Sequence, residues 1–340
     1  MRKLPVLMML ILASLLLLSA CNSKNSSSAN AEGKQKVTIT QSTSSLLFTP
    51  IYIAQGKGFF EEEGLDVEVS IAGGSTNVLS AVVGGGAEIG ATGLSVVMDV
   101  NKKGQEVQAF ASLINQYASN VVIHKDIANK LGITENSPIE DKINALKGLS
   151  IGVTAPGGGS DRLVRYLLKS QNLNPDKDAT IVPLGKSEAV LPAFMNNQIQ
   201  AFAFSSPTSE QAAATDNGML LINLSKGEVN DLDGFAHSTL LAKKDYIDKN
   251  PEIIQKVTNA IAKAEKYIME NKEEAKEELR KSFDKLEPEI FEASFENNFD
   301  AFAKTPIITK SGFDMNVEFE GIDVSYEKVV NNQFAEEASK

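Results

Sequence analysis

The sequence predicts an α/β protein of two lobes, each a mainly parallel sheet flanked by helices. Three observations lead there. Strand and helix signals alternate through two successive stretches. The segments joining each strand to its following helix are short, neutral and rich in Ser, Thr and Gly. A long helical tail follows the second stretch and needs a sheet to cover.

In the first stretch, Val37-Thr38-Ile39-Thr40 alternates in polarity and reads as a strand. Pro50 suits the first turn of a helix, and Gly58 suits its end. Leu65–Val69 alternates again, and Gly73-Gly74-Ser75-Thr76 leads into a helix over Val78–Val83 that stops at Gly84-Gly85-Gly86. Ala87–Thr92 is a third strand. Gly93-Leu94-Ser95 opens a helix closed by Lys102-Lys103-Gly104, and Val107–Leu113 is a fourth strand.

The pattern then recurs without sequence identity. Leu149–Val153 reads as a strand, Pro156-Gly157-Gly158-Gly159-Ser160 leads into a helix over Asp161–Leu173, and Ala179–Leu184 is a strand. A helix over Ser187–Asn197, a strand over Ile199–Phe204, a helix opened by Ser205-Ser206-Pro207 and a last strand over Met219–Leu224 complete it. From Asn250 the chain is helical. Ile253, Ile254, Val257, Ile261, Ala264 and Ile268 form one apolar stripe, and Phe291, Phe295, Phe299 and Phe302 form another. Both read as core. The charges of Lys272–Lys281 read as a solvated face with i,i+4 pairing.

The chain has 340 residues, room for one large or two ordinary domains. Arg2 and Lys3 precede an apolar run from Leu4 to Leu18 that ends in Leu18-Ser19-Ala20-Cys21, the layout of a secretory signal. The run is shorter than the ~20 apolar residues a bilayer core requires. Cys21 is the single cysteine, so an internal disulfide and a multi-cysteine metal site are both excluded. Residues 22–34 are rich in Ser, Asn, Ala and Gly and form a tether that cannot bury a core. Removing Arg2 and Lys3 takes the formal net charge from −11 to −13, which argues against nucleic acid and against anionic lipid as partners. Residues 1–20 are thus read as a signal peptide, 21–35 as the tether, 36–124 as the first lobe and 125–235 as the second. Residues 236–340 return to the first lobe and end in the C-terminal helices.

In a parallel sheet all strands end at one edge, and the helices that follow begin there with unpaired N–H groups and a positive dipole end. In open α/β sheets this edge is where ligands bind. Here the first stretch places Ser42, Thr43, Ser44, Ser45, Gly74, Ser75, Thr76, Gly93 and Ser95 at that edge, and the second places Gly157–Ser160, Ser205 and Ser206. Any one of these is first of all a helix cap. The glycine run lacks the lysine of a phosphate-binding loop and the spacing of a dinucleotide fingerprint. Their accumulation at the same topological place in both stretches reads as the two walls of a polar cleft.

Pro50–Phe60, continuing to Glu63-Gly64-Leu65-Asp66-Val67, resembles the start of the nitrate-, sulfonate-, taurine- and thiamine-precursor-binding family of ABC-transporter solute-binding proteins. Leu146–Val153 leading to Gly157-Gly158 resembles the same family, and the match runs with gaps from about residue 36 to about residue 280. The resemblance implies a two-lobed periplasmic-binding-protein-like fold of type II with a two-crossing hinge and one small ligand between the lobes. The implied ligand contacts are Ser42, Thr43, Ser44, Gly74, Ser75, Thr76, Gly93, Ser95, Asn115, Gly158, Ser160, Asp161, Ser205 and Ser206. No metal and no cofactor is implied. The N-terminal segment resembles a bacterial lipoprotein signal, which implies cleavage before Cys21 and acylation of it, with an ordinary signal peptide as the alternative. The implied protein is a monomer on the extracytoplasmic face of the membrane, held by its lipid and partnered by a permease. Its solute is a small organic anion, an aliphatic sulfonate ahead of nitrate, or else a neutral heterocyclic vitamin precursor. Arg162 and Arg165 lie where they could add positive charge. The chain has no Trp, so stacking on a ring would fall to Tyr52, Tyr117, Phe48 or Phe204. Where many relatives carry an acid before the proline, this chain has Ser206.

Two other classes fit the sequence less well. A hydrolase would need a base for a serine nucleophile, and only His124 and His237 exist. His237 and Ser238 are adjacent, and neighbours on a strand point to opposite faces, so His237 reads as a hinge or cleft-edge residue. A lipid-anchored adhesin would have no use for a cleft between matched halves.

Overall fold

The computed structural model describes residues 33–185 and 187–340. The signal segment, Cys21 and most of the tether lie outside the described residues. Two five-stranded sheets are present. The first has the order β2-β1-β3-β10-β4, with β1 Gln35–Gln41, β2 Leu65–Ile71, β3 Ile89–Gly93, β4 Val107–Gln116 and β10 Asp233–Lys243. The second has the order β7-β6-β8-β5-β9, with β5 Asn120–His124, β6 Ser150–Val153, β7 Thr180–Pro183, β8 Ala201–Phe204 and β9 Gly218–Ile222.

The eight strands read from the sequence are all present, and two more were missed. These two, β5 and β10, are the strands that run against their neighbours: β5 pairs antiparallel with β8 and β9, and β10 with β3 and β4. β5 is buried at every position, its apolar centre Val121–Ile123 only three residues long, with no alternation to reveal it. β10 carries Gly234 at φ +80° in its second position and register irregularities against β4, so its period is broken. Asn120–His124, which the sequence reading ended the first lobe with, therefore pairs in the second sheet. The chain crosses between sheets at residues 117–119 and again at residues 223–232. Gln116 ties the two crossings, donating to the Leu224 carbonyl at 3.2 Å and accepting from the Gly234 N–H at 3.2 Å.

Helices cover both faces of each sheet because each face is apolar. On the first sheet, α1 (Thr49–Gly56), α7 (Pro251–Glu270), α8 (Lys272–Arg280) and α9 (Pro288–Asn298) supply one core, with Ile51, Ile254, Ile261, Leu279 and Phe295 fully buried. The opposite face is filled from α2 (Ser75–Gly84), α3 (Leu94–Lys102) and α10 (Lys310–Glu320). On the second sheet, α4 (Gly159–Ser170) packs Leu163, Val164, Leu167 and Leu168 on one face. The other face takes α5 (Ser187–Met195) and α6 (Thr208–Ala213).

Both tail stripes are core, as read. The Lys272–Lys281 charges differ from the reading. Lys272 and Lys276 pair mainly across to α9, at 2.7 Å with Glu296 and 2.6 Å with Glu292. Lys272 and Arg280 also lie over the Phe299 and Phe291 rings at 4.4 and 5.3 Å, where their stems cover the aromatic row. In the same tail Glu265 is fully buried with both carboxylate oxygens unpartnered, and burial holds its pKa well above the usual range. It is a neutral acid in the core.

The tail reaches both sheets. Glu210, on α6 and buried, accepts from the Ser206 and Ser209 hydroxyls at 2.9 Å each and from Asn297 of α9 at 3.0 Å. Asn298 donates to Ser206 Oγ at 2.6 Å. At α10, a Cβ on Gly312 would stand 2.6 Å from the Gly234 carbonyl oxygen, so only glycine lets this helix lie so close to β10.

Candidate functional site

The strand-end loops of the first sheet are bound to one another. The Ser42 N–H donates to the Ala91 carbonyl at 3.2 Å, and the Ser42 carbonyl accepts from Gly74 at 2.7 Å. Gly74, at φ +139°, caps α2, leaving Ser75 as its first residue with no capping bond from its side chain. The Ser75 hydroxyl instead accepts from Thr92 at 2.8 Å. Thr92 faces Thr239, and Thr239 faces Ser112, so hydroxyls line up across the sheet. Ser112 donates to Asn115 Oδ1 at 2.5 Å, and Thr239 Oγ1 is buried with no partner. Gln41 joins the Thr43 carbonyl at 3.0 Å and the Tyr52 hydroxyl, while its own Oε1 is buried and unpartnered. Ser42, Thr43, Ser75, Gly93, Ser95 and Asn115 are half-buried, and Ser44 and Thr76 are exposed.

The second-sheet loops are more self-contained. Ser160, buried, accepts from the Thr154 N–H at 2.8 Å and bonds the Thr154 hydroxyl at 2.9 Å. Asp161, also buried, accepts from the Gly157 N–H at 2.8 Å and from Arg165 at 3.0 Å. A Cβ on Gly158 would meet Thr154 Oγ1 at 3.0 Å and the Ala155 carbonyl at 3.1 Å, so this glycine run makes a tight turn. The Ser206 hydroxyl is committed to Glu210 and Asn298, and Ser205 is half-buried.

Ser45, Tyr117 and Arg162 join the two sides. The Ser45 hydroxyl lies 2.9 Å from the Ser206 carbonyl oxygen and 3.1 Å from Ser205 Oγ. The Tyr117 hydroxyl donates to the Gly159 carbonyl at 2.7 Å. Arg162, on α4, pairs with Asp99 of α3 at 2.5 Å and with Glu320 at the end of α10. The Ser95 side chain lies beside Glu320. Both arginines foreseen as free positive charge are therefore committed: Arg162 between two carboxylates, Arg165 between Asp161 and Asp176.

Tyr117 is the centre of a ring cluster, with His237, Phe235 and Phe319 centroids at 4.9, 5.0 and 5.3 Å. Burial lowers the His237 pKa to about 4, so its ring is neutral at pH 7. Its Nδ1 lies 3.0 Å from Ser238 Oγ, against the expectation that strand neighbours diverge. The irregular register on both sides of Ser238 accounts for this. Of the other aromatics named for stacking, Phe48 and Phe204 are buried in separate cores, and Tyr52 packs edge-on against Phe283 at 5.5 Å.

Sequence reasoning missed Gln41, Thr92, Thr239, Phe319 and Glu320. The polar residues inside strands β3 and β10 were the available signal for Thr92 and Thr239. Nothing local marks Glu320, which arrives from a helix at the far end of the chain.

Residues 45–275 match the NMT1/THI5 like family. The chain belongs to this family. The match excludes β1, α9 and α10. Among NMT1/THI5-like relatives, the Bacillus subtilis protein YtlA is 22% identical over 317 residues, covering 89% of this chain and 90% of that one. A Saccharomyces cerevisiae 4-amino-5-hydroxymethyl-2-methylpyrimidine phosphate synthase is 25% identical over 230 residues, 65% of this chain and 63% of the yeast protein. The nitrate/nitrite binding protein of Nostoc is 28% identical over 273 residues, 75% of this chain and 60% of the relative. The periplasmic aliphatic sulphonate binding protein of Escherichia coli shares the fold at a TM-score of 0.65 and 18% identity, over 84% of this chain and 90% of that one.

Proposed function

We propose that the protein is the extracytoplasmic solute-binding component of an ABC importer, holding a small organic anion between its lobes and delivering it to a permease. The observation that carries this is the meeting of hydroxyl-rich strand ends from both sheets, joined by Ser45 to Ser205 and Ser206. The relatives named for nitrate, and the structural neighbour named for an aliphatic sulphonate, support the same reading. An anionic head is received by neutral donors, namely Ser42, Thr43, Ser44, Ser75 and the free N–H groups opening α2, rather than by a counter-charge. The remaining residues of the predicted set play supporting parts: Ser160, Asp161 and Ser206 hold their own loops in shape. Attachment to the membrane runs through acylated Cys21, and a Cys21→Ala variant recovered still in the membrane fraction would contradict it.

A neutral heterocycle is the second reading, favoured by the neutral His237 ring against Tyr117 and by the yeast pyrimidine phosphate synthase among the relatives. Calorimetry with ethanesulfonate, nitrate, bicarbonate and a 4-aminopyrimidine separates the two. Heat of binding with an anion, weakened about tenfold in Ser75→Ala, is expected. Binding of the pyrimidine alone would replace the anion reading with the second one.

A further inference from the structure

We infer that Glu320 is a specificity-determining residue that closes the Ser95–Arg162 corner of the cleft to anionic groups, so that the solute end lodged there is neutral or carries hydrogen-bond donors. This rests on the solute-binding reading given above and concerns the end of the solute away from its anionic head.

Ser95 lies in the first turn of α3, where unpaired N–H groups and the positive end of the helix favour an anion. Arg162, on α4 in the other lobe, reaches the same helix at Asp99, one turn beyond Ser95. Together they would receive a carboxylate, sulfonate or nitrate. The protein fills that position itself: the Glu320 carboxylate pairs with the Arg162 guanidinium, beside the Ser95 side chain. Its side chain is only 2% exposed. α10 is pinned to deliver it. Gly312 allows the close approach to β10, and Asn316 donates to the Ala236 carbonyl at 2.9 Å. Phe319 packs against Tyr117 and Tyr166 with centroids at 5.3 and 4.9 Å.

Asp99 adds a second carboxylate to the same guanidinium. One positive charge thus faces two negative ones, in a partly buried place where salt screens weakly. An anion entering the corner meets a net negative field. Displacing Glu320 would strand a buried carboxylate without its cation, which is strongly unfavourable. A neutral or donor-bearing group meets neither obstacle. Glu320 lies outside residues 45–275, so this selectivity belongs to the chain's own C-terminal helix rather than to the family-matched segment.

Three probes with one shared head test it: ethanesulfonate, 2-aminoethanesulfonate and ethane-1,2-disulfonate, whose far ends are neutral, cationic and anionic. Titration calorimetry of the wild-type protein should show the disulfonate binding at least tenfold more weakly than the other two. Glu320→Gln, which keeps the side-chain size, should raise disulfonate affinity about tenfold. It should leave ethanesulfonate within threefold, and Glu320→Asp should keep the wild-type ranking. Thermal melting confirms that each variant folds, and the wild-type ranking stands as a test even if one does not. Equal wild-type binding of the disulfonate and ethanesulfonate, or a disulfonate affinity indifferent to Glu320→Gln, overturns the inference while leaving the solute-binding reading in place. Failure of all three probes to bind overturns both.

Discussion

The Ser45 hydroxyl, on the loop after β1, lies 2.9 Å from the Ser206 carbonyl oxygen, at the corner after β8, and so joins residues 161 positions apart in sequence. The same hydroxyl caps the 3-10 turn Leu46–Phe48 by accepting from the Leu47 N–H at 3.3 Å. One side chain therefore shapes the first loop and fastens it to the second lobe.

Replacing Ser45 with Ala removes these two bonds together with the 3.1 Å contact to Ser205 Oγ. A net loss of about 1 kcal/mol per hydrogen bond predicts a stability loss of about 1–2 kcal/mol and solute binding weakened about tenfold. Urea unfolding and calorimetry measure the two effects. Unchanged affinity in a stable variant would show that this contact does not hold the closed arrangement.

His237 gives a pH dependence of definite sign. Its folded pKa of about 4 lies below the ordinary histidine value of 6.5, so the unfolded chain takes up a proton first as the pH falls. The His237 contribution to stability is complete above about pH 6.5 and declines between there and about pH 4. The full shift corresponds to about 3 kcal/mol. Denaturant melts of wild type and His237→Phe from pH 4 to 7 should differ in slope over this window, with the variant flatter. Parallel curves would contradict the buried neutral ring.

Glu265 has the opposite sign. Its folded pKa is raised well above 4.5, so the unfolded chain ionises first as the pH climbs, and the native state loses stability above about pH 4.5. Replacing it with Leu removes an unpartnered buried acid of similar bulk from the α7 core. The variant should be more stable at pH 7 by about 1–3 kcal/mol, and its stability should no longer decline with rising pH through this group. Destabilisation at pH 7 would mean that the carboxyl makes a stabilising contact after all.

The layered α/β class, the eight strands β1–β4 and β6–β9, and the two apolar stripes of the tail are legible in the residues alone. These depend on local periodicity, and Ile39, Val67 or Phe295 must be buried in whatever fold puts their stripe inside. The sequence also located the hydroxyl-rich loops, because Ser, Thr and Gly mark the start of helices α2, α3 and α4 for local backbone reasons. What those residues do depends on which neighbours folding brings to them. Ser75 and Ser160 look alike in sequence, yet one bonds a neighbouring strand's Thr92 and the other its own loop at Thr154. The crossing strands β5 and β10 stayed hidden because a strand buried on both faces, or one broken by irregular register, shows no alternation. Arg162 read as a free cation until Asp99 and Glu320, 63 and 158 residues away, were brought against it. Charge at a site is a sum over neighbours in space, and a chain fixes that sum only by folding.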